Sequence, residues 1–291
     1  MEDTAGFGIG PGSEKLATAK AISEAAELDA AIWATPAPLV CCQSSQLEGH
    51  YVAPARICLD RAQARARSAG SVDPAPDRSR HWVLGREIVT QRPVWLPSDA
   101  VLMSKRFLDR GILPSSTGLG CAAAWLPAVR HAVFEVLEKA VLPGPNDFTS
   151  PCGSTLPNTA AGRAVACIAE RAGVQAVASV CCVGPLAFCR AVDKDSGIWS
   201  TCVRESRHGA VLGAVEELMM KTLGAAADKA ECRRPPGVVA LSDRVSAGEG
   251  GLDTLLEELG VGLALVALRP PHAYVTLNAV CVVKAVAYTL S

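Results

Sequence analysis

The chain has 291 residues, 49% of them hydrophobic, with 28 basic and 29 acidic residues and a formal net charge of -1. That length and apolar content bury a sizeable core, which excludes disorder as the overall state and leaves room for one large domain or two ordinary ones. Balanced charge without a long basic run leaves no electrostatic footprint for nucleic acid and no polybasic patch for a membrane surface, so neither is expected as a partner.

The N-terminal MEDTAGFGIGPG carries two early acids and lacks a basic segment followed by an apolar one. It does not read as a secretory signal, and the protein is expected in the cytoplasm. Gly6, Gly8, Gly10 and Gly12 follow no strand, and no G-x-x-x-x-G-K-[ST] occurs, which argues against Rossmann and P-loop nucleotide binding. Ala62 to Arg80 reads as a surface connection, rich in charge and turn formers. From His81 to Met103, apolar and β-branched residues around a polar RPVWLP turn predict paired strands. A helix follows over Leu126 to Lys139, with Pro127 in the first turn, where its missing N–H removes no bond. Pro143 to Asn158 is a second connection and Asp228 to Gly237 a third. Between them, Gly173 to Cys189 is uncharged, but it spans only 17 residues and contains a glutamine, an internal glycine and Pro185. That predicts buried strands rather than a membrane span. The twelve cysteines include the adjacent pairs Cys41-Cys42 and Cys181-Cys182 and no C-x-x-C with a matching second pair. They read as small buried hydrophobes rather than zinc ligands.

Comparing segments with one another reveals a repeat. Ala17, Ala21, Glu24 and Glu27 have the spacing A-x-x-x-A-x-x-E-x-x-E; Ala128, Ala132, Glu135 and Glu138 repeat it. Ala210, Ala214, Glu217 and Met220 form a third copy without the last acid. The wide, unequal separations exclude a short solenoid period. On a helix the alanines form a smooth strip for close approach, with the glutamates on a neighbouring face. One copy alone reads as an amphipathic surface helix. If the helices converge, Glu24, Glu27, Glu135, Glu138 and Glu217 place their carboxylates in one cleft, where mutual repulsion raises their pKa values unless a cation neutralises them. Magnesium takes such oxygen ligands, typically a few carboxylates plus substrate phosphates, so the pattern suggests an ATP-magnesium site without a P-loop.

These residues carry a family resemblance. PSSTGLGCAAAWLPAVRHAVFEVLEKA (Pro114 to Ala140) resembles the YcaO signature, S-S-N-G-L-A-x-G followed by a helix ending E-V-x-E-R-D, with Glu135 and Glu138 on its metal-binding acids. GFGIGPGSEKLATAKAISEAAELDA is similar to the earlier family segment, with Glu24 and Glu27 on its acids, and HGAVLGAVEELMMKTL to a later one, with Glu217 on its acid. HWVLGREIVTQRPVWLP is similar to the family's linker, and VCVVKAVAYTL to its late strand.

The resemblance implies an α+β protein, a YcaO-like fold of α/β lobes around an ATP-magnesium cleft, with 1–291 as a single domain. It implies ATP and Mg2+ as cofactors, Ser116, Lys139 and Glu217 as cofactor-binding residues, and Glu24, Glu27, Glu135, Glu138 and Glu217 as metal ligands. The activity it implies is azoline-forming cyclodehydration of a ribosomal precursor peptide in toxin or antibiotic maturation. A Cys, Ser or Thr of the peptide attacks the preceding amide carbonyl, and the oxygen leaves as phosphate, so no protein nucleophile is required. A peptide-recognition partner protein and a dehydrogenase in the same complex are the implied partners.

The chain resembles a shortened, partly degenerate member. Lys20, Leu28, Thr117, Ala123, Pro127, Lys139 and Met220 all depart from the family pattern. Lys139 keeps the charge of the usual arginine but loses its planar fork. Those losses leave a non-catalytic, peptide-binding scaffold as an alternative, and ATP-dependent thioamide formation as another. His131, one turn before Glu135, lines the same cleft or the helix surface. Ser115, Ser116 and Gly118 offer hydroxyls and amides to phosphate or form a plain turn.

Overall fold

The computed structural model describes residues 14–34, 38–60, 63–64, 79–107, 112–141, 156, 158–228, 251–269 and 280–290. Most of the connections expected at 62–80, 143–158 and 228–237 lie outside these residues. The elements in chain order are α1 (Glu14–Trp33), β1 (Leu39–Cys42), β2 (Arg80–Glu87), β3 (Pro93–Pro97), β4 (Leu119–Ala122) and α2 (Trp125–Val136). There follow α3 (Ala160–Arg171), β5 (Ala176–Val183), β6 (Leu186–Asp193), β7 (Trp199–Arg204), α4 (Arg207–Asp228), α5 (Leu252–Glu258), β8 (Val261–Leu268) and β9 (Cys281–Thr289). The class is α+β, as expected. Among the described residues no helix is long and apolar enough to cross a membrane.

The chain groups into two compact units. One comprises Met1–Ala5, Ser23–Val141 and Leu256–Ser291; the other comprises Gly6–Ile22 and Leu142–Leu255.

The first unit is built on an antiparallel sheet of order β1-β2-β8-β9-β4, with β3 also paired to β2. Its core joins Val83, Leu96, Leu119, Ala264 and Tyr288 to Ala26, Ala30 and Ala31 of α1. Helix α2 lies on β4 and β9. The contact is tight because both surfaces are small: Ala128 and Ala132 are fully buried. A Cβ on Gly120 would stand 2.2 Å from the Ala128 carbonyl oxygen and 2.6 Å from the Ala132 nitrogen. The alanine strip of the second copy therefore does what its spacing predicts.

The second unit has a three-stranded antiparallel sheet, β5-β6-β7, with α4 packed on all three strands and α3 packed on α4. Its core contains Val165, Cys189, Val215, Leu218 and Met219. Ala210 and Ala214 are fully buried, as in the second copy of the repeat. A Cβ on Gly213 would stand 2.4 Å from Cys202 Sγ. The first copy differs: Ala17 and Ala21 are only half-buried.

Four expectations need correction. The stretch RPVWLP is not a turn. Pro93–Pro97 is strand β3, paired with β2 from Trp82↔Pro97 to Arg86↔Pro93. Val94 and Leu96 alternate into the core and the prolines occupy the two ends of the strand, where they are tolerated. The turn is the segment before it, closed by Gln91 at φ 59. Arg80, expected in a surface connection, is the buried first residue of β2, its guanidinium 5.7 Å from the Trp82 ring centre. The helix expected to run to Lys139 keeps α geometry only to Val136, and Leu137–Val141 is a π-turn that carries Glu138 and Lys139. Cysteines are not uniformly buried either, since Cys41 and Cys167 are exposed while Cys121, Cys189 and Cys202 are buried. The strands expected within Gly173–Cys189 are the β5–β6 hairpin, closed at Gly184, whose φ of +54 favours glycine.

Candidate functional site

In the first unit the Ser115–Gly118 turn feeds β4, and two residues later the chain enters α2 and doubles back. That reversal brings the last turn of α2 to the first residues of β4. The Gly118 N–H donates to Glu135 Oε2 at 3.2 Å, and Lys139 Nζ donates to Glu135 Oε1 at 2.7 Å. Both oxygens of one carboxylate are thereby oriented, one by a backbone amide and one by a cation four residues on.

Glu27 reaches the same place from α1. Burial, then the Glu135 charge, push its carboxyl up to about 8; the Cys121 N–H and Lys139 act in the opposite direction, and Glu24 adds to the rise. His131 Nδ1 lies 3.6 Å from Glu27 Oε1. Two of the repeat's three copies thus meet through Glu24, Glu27 and Glu135, by charge if not by contact. Glu138 stands next along, half-buried in the π-turn.

Burial, and then the neighbouring carboxylates, keep Glu27 protonated, and a hard divalent cation such as magnesium would relieve the charge part of that rise. Among the described residues no group of three or more His, Cys, Asp or Glu side chains is gathered closely enough to hold a metal ion.

Glu217 lies in the second unit on α4, where Lys221 pairs with it at 2.8 Å. Beside it, Glu216 takes Lys20 at 2.7 Å. Glu135–Lys139 and Glu217–Lys221 are the same i,i+4 ion pair on the same alanine-strip helix, once in each unit.

Ser116 is exposed, whereas its neighbours turn inward: Ser115 Oγ and Thr117 Oγ1 both donate to Asp60 Oδ2, the second at 3.0 Å. The alternation leaves Ser116 as the hydroxyl of this turn that faces out. Sequence reading missed the residues that hold the turn. Lys284 on β9 is buried, and its Nζ donates to the carbonyls of Ser115 at 2.7 Å and Thr117 at 2.6 Å. The signal was present as one lysine inside the apolar run VCVVKAVAY. Asp60 is buried, with Gln63 capping its other oxygen at 2.9 Å. Lys284, Thr117, Gln63 and Cys58 line a small crevice that opens to solvent.

Residues 8–143 match the family model for the ATP- and Mg2+-binding YcaO cyclodehydratases. Among curated proteins, none matches the sequence. Among solved structures, the YcaO from Methanopyrus kandleri bound with AMPPCP and Mg2+ is similar at a TM-score of 0.59 and 18% identity, over 94% of this chain and 75% of that one. A heterocyclase in complex with substrate and cofactor gives 0.63 at 12% identity, over 98% of this chain, which spans 44% of that relative's length. The E. coli microcin synthetase McbBCD complex with pro-MccB17 bound gives 0.51 at 10% identity, over 94% of this chain and 78% of that one. At such identities the structures speak for the fold. The matched segment carries the Ser115–Gly118 turn, α2 and four of the glutamates named above, and over residues 8–143 the chain is similar to the YcaO family, described as ATP- and Mg2+-binding.

Proposed function

We propose that the chain uses ATP and magnesium to activate a backbone amide of a ribosomal precursor peptide, closing azoline rings during toxin or antibiotic maturation. The observation that carries this reading is the meeting of Glu27 and Glu135 beside the Gly118 amide, inside the family-matching segment. Glu24, Glu27, Glu135 and Glu138 would hold the metal, and Glu217 keeps its assignment from its motif alone. Magnesium, when bound, supplies charge neutralisation for the phosphates of ATP. Ser116 offers an outward hydroxyl and Lys139 a positive charge. His131 Nδ1 stands 3.6 Å from the Glu27 carboxyl. In the substrate, a thiol or hydroxyl adds to the preceding carbonyl, and the amide oxygen, a poor leaving group, departs as phosphate. Positioning and electrostatics carry such a reaction, without a protein nucleophile. A peptide-recognition protein and a dehydrogenase complete the assembly in this reading, and the peptide-bound E. coli complex supports the peptide and the need for partners.

The test is mass spectrometry of a cognate precursor incubated with the chain, its partner and MgATP. Loss of water mass that disappears in Glu135→Ala supports cyclodehydration, while a gain matching sulfur for oxygen assigns thioamide formation instead. One observation favours a scaffold: Lys139 and Thr117, both at positions altered from the family pattern, are occupied with Glu135 and Asp60. Calorimetric titration with MgATP separates the two, since saturable binding abolished in Glu24→Ala sinks the scaffold.

A further inference from the structure

The Ser115–Gly118 turn is gripped from two sides. The Lys284 ammonium holds the carbonyls of Ser115 and Thr117, and the Asp60 carboxylate holds their hydroxyls. A third constraint comes from β9. The Ala285 N–H donates to the Gly118 carbonyl at 2.8 Å, and Gly118, at φ +84, leaves only 2.4 Å between the Ala285 oxygen and the place of a Cβ.

A lysine removed from water destabilises the fold unless hydrogen bonds and opposite charge compensate, and an apolar side chain of similar length would fill the space without that penalty. Burial pulls the Lys284 ammonium down to about 8, against the favourable charges of Glu135 and Asp60. A turn that served only to connect would need neither ion. What the pair achieves is conformational: with residues 115 and 117 drawn inward, Ser116 is forced outward and the Gly118 N–H is aimed at Glu135.

We infer that Lys284 and Asp60 are positioning residues that lock the Ser115–Gly118 turn so that Ser116 and the Glu135 carboxylate are presented together to a phosphate-bearing ligand. The functional half of this inference rests on the MgATP reading above; the locking itself does not. Such supporting groups behave as outer-shell residues do at metal sites, where their loss weakens binding without removing a ligand.

Two measurements on the full chain test it. In Lys284→Met, hydrogen exchange over residues 115–119 is expected to accelerate about 10-fold or more while peptides from β5–β7 keep their protection. Affinity for MgATP, read by calorimetry, is expected to fall about 10- to 100-fold. Should that variant fail to fold, Thr117→Val, which withdraws one hydroxyl from Asp60, is read in the same way. Unchanged exchange at 115–119 in a folded variant overturns the locking. MgATP bound equally by wild type and variants overturns the positioning role and leaves the nucleotide reading standing. Wild-type protein that binds no MgATP, with local acceleration present in the variant, overturns the nucleotide reading and leaves the lock in place.

Discussion

Glu27 and Lys284 make the site sensitive to pH in adjoining windows. Glu27 has its carboxyl raised from 4.5 to about 8, so between those values the folded chain binds a proton that the unfolded chain has lost. Stability therefore falls as pH rises through that window. Lys284 is lowered from 10.5 to about 8, so from there upward the unfolded chain binds the extra proton and stability rises with pH. Thermal melts of metal-free protein should show a falling limb up to about pH 8 that flattens in Glu27→Gln, and a rising limb above it that flattens in Lys284→Met. A falling limb that survives unchanged in Glu27→Gln would assign the pH dependence elsewhere. Glu27 and Glu135 were legible in the sequence because their helices repeat one pattern. Asp60 and Lys284 were not, because each meets the turn from a remote segment, and local spacing carries no trace of that meeting.

At the scale of elements, periodicity was a good guide wherever one face was buried and a poor one elsewhere. The alanine strip held for α2 and α4, whose four alanines are fully buried, but not for α1, where Ala26 and Ala30 do the packing and Ala17 and Ala21 are half-buried. Ala132→Leu should therefore destabilise the fold by about 1–3 kcal/mol in denaturant titration, whereas Ala21→Leu should be close to neutral. Equal losses at both positions would refute the packing difference. Gly120→Ala should also destabilise by about 1–3 kcal/mol, because its Cβ would meet backbone, which cannot rotate away as a side chain does. The hairpin shows the opposite failure. Prolines at both ends of PVWLP resembled turn chemistry, yet tertiary burial of Val94 and Leu96 prevailed over that local signal. The π-turn after Val136 has no signature in the sequence that we can name.

For the whole molecule, ligand binding and stability are linked. MgATP at about 100 times its dissociation constant should stabilise the fold by about 2.7 kcal/mol, visible as a rise in Tm, and Glu135→Gln should remove most of that rise. A Tm indifferent to MgATP in wild-type protein would speak for the scaffold. The α+β class was legible through the family resemblance, whereas the division into two units was not, because neither unit is a continuous stretch of chain.

That discontinuity bears on how the protein is made. Strand β4 pairs with β9, and the turn ahead of β4 is held by Lys284 and Ala285 on the same strand. Among the described residues the β5–β7 sheet pairs only within itself, and it can form while the chain is still being synthesised. The signature turn, though translated earlier, lacks its contacts with Lys284 and Ala285 until the residues of β9 leave the ribosome. The unit that carries the candidate site is thus completed last, and ribosome-stalled chains that lack β9 should display a folded β5–β7 sheet and a turn less protected than in the full chain.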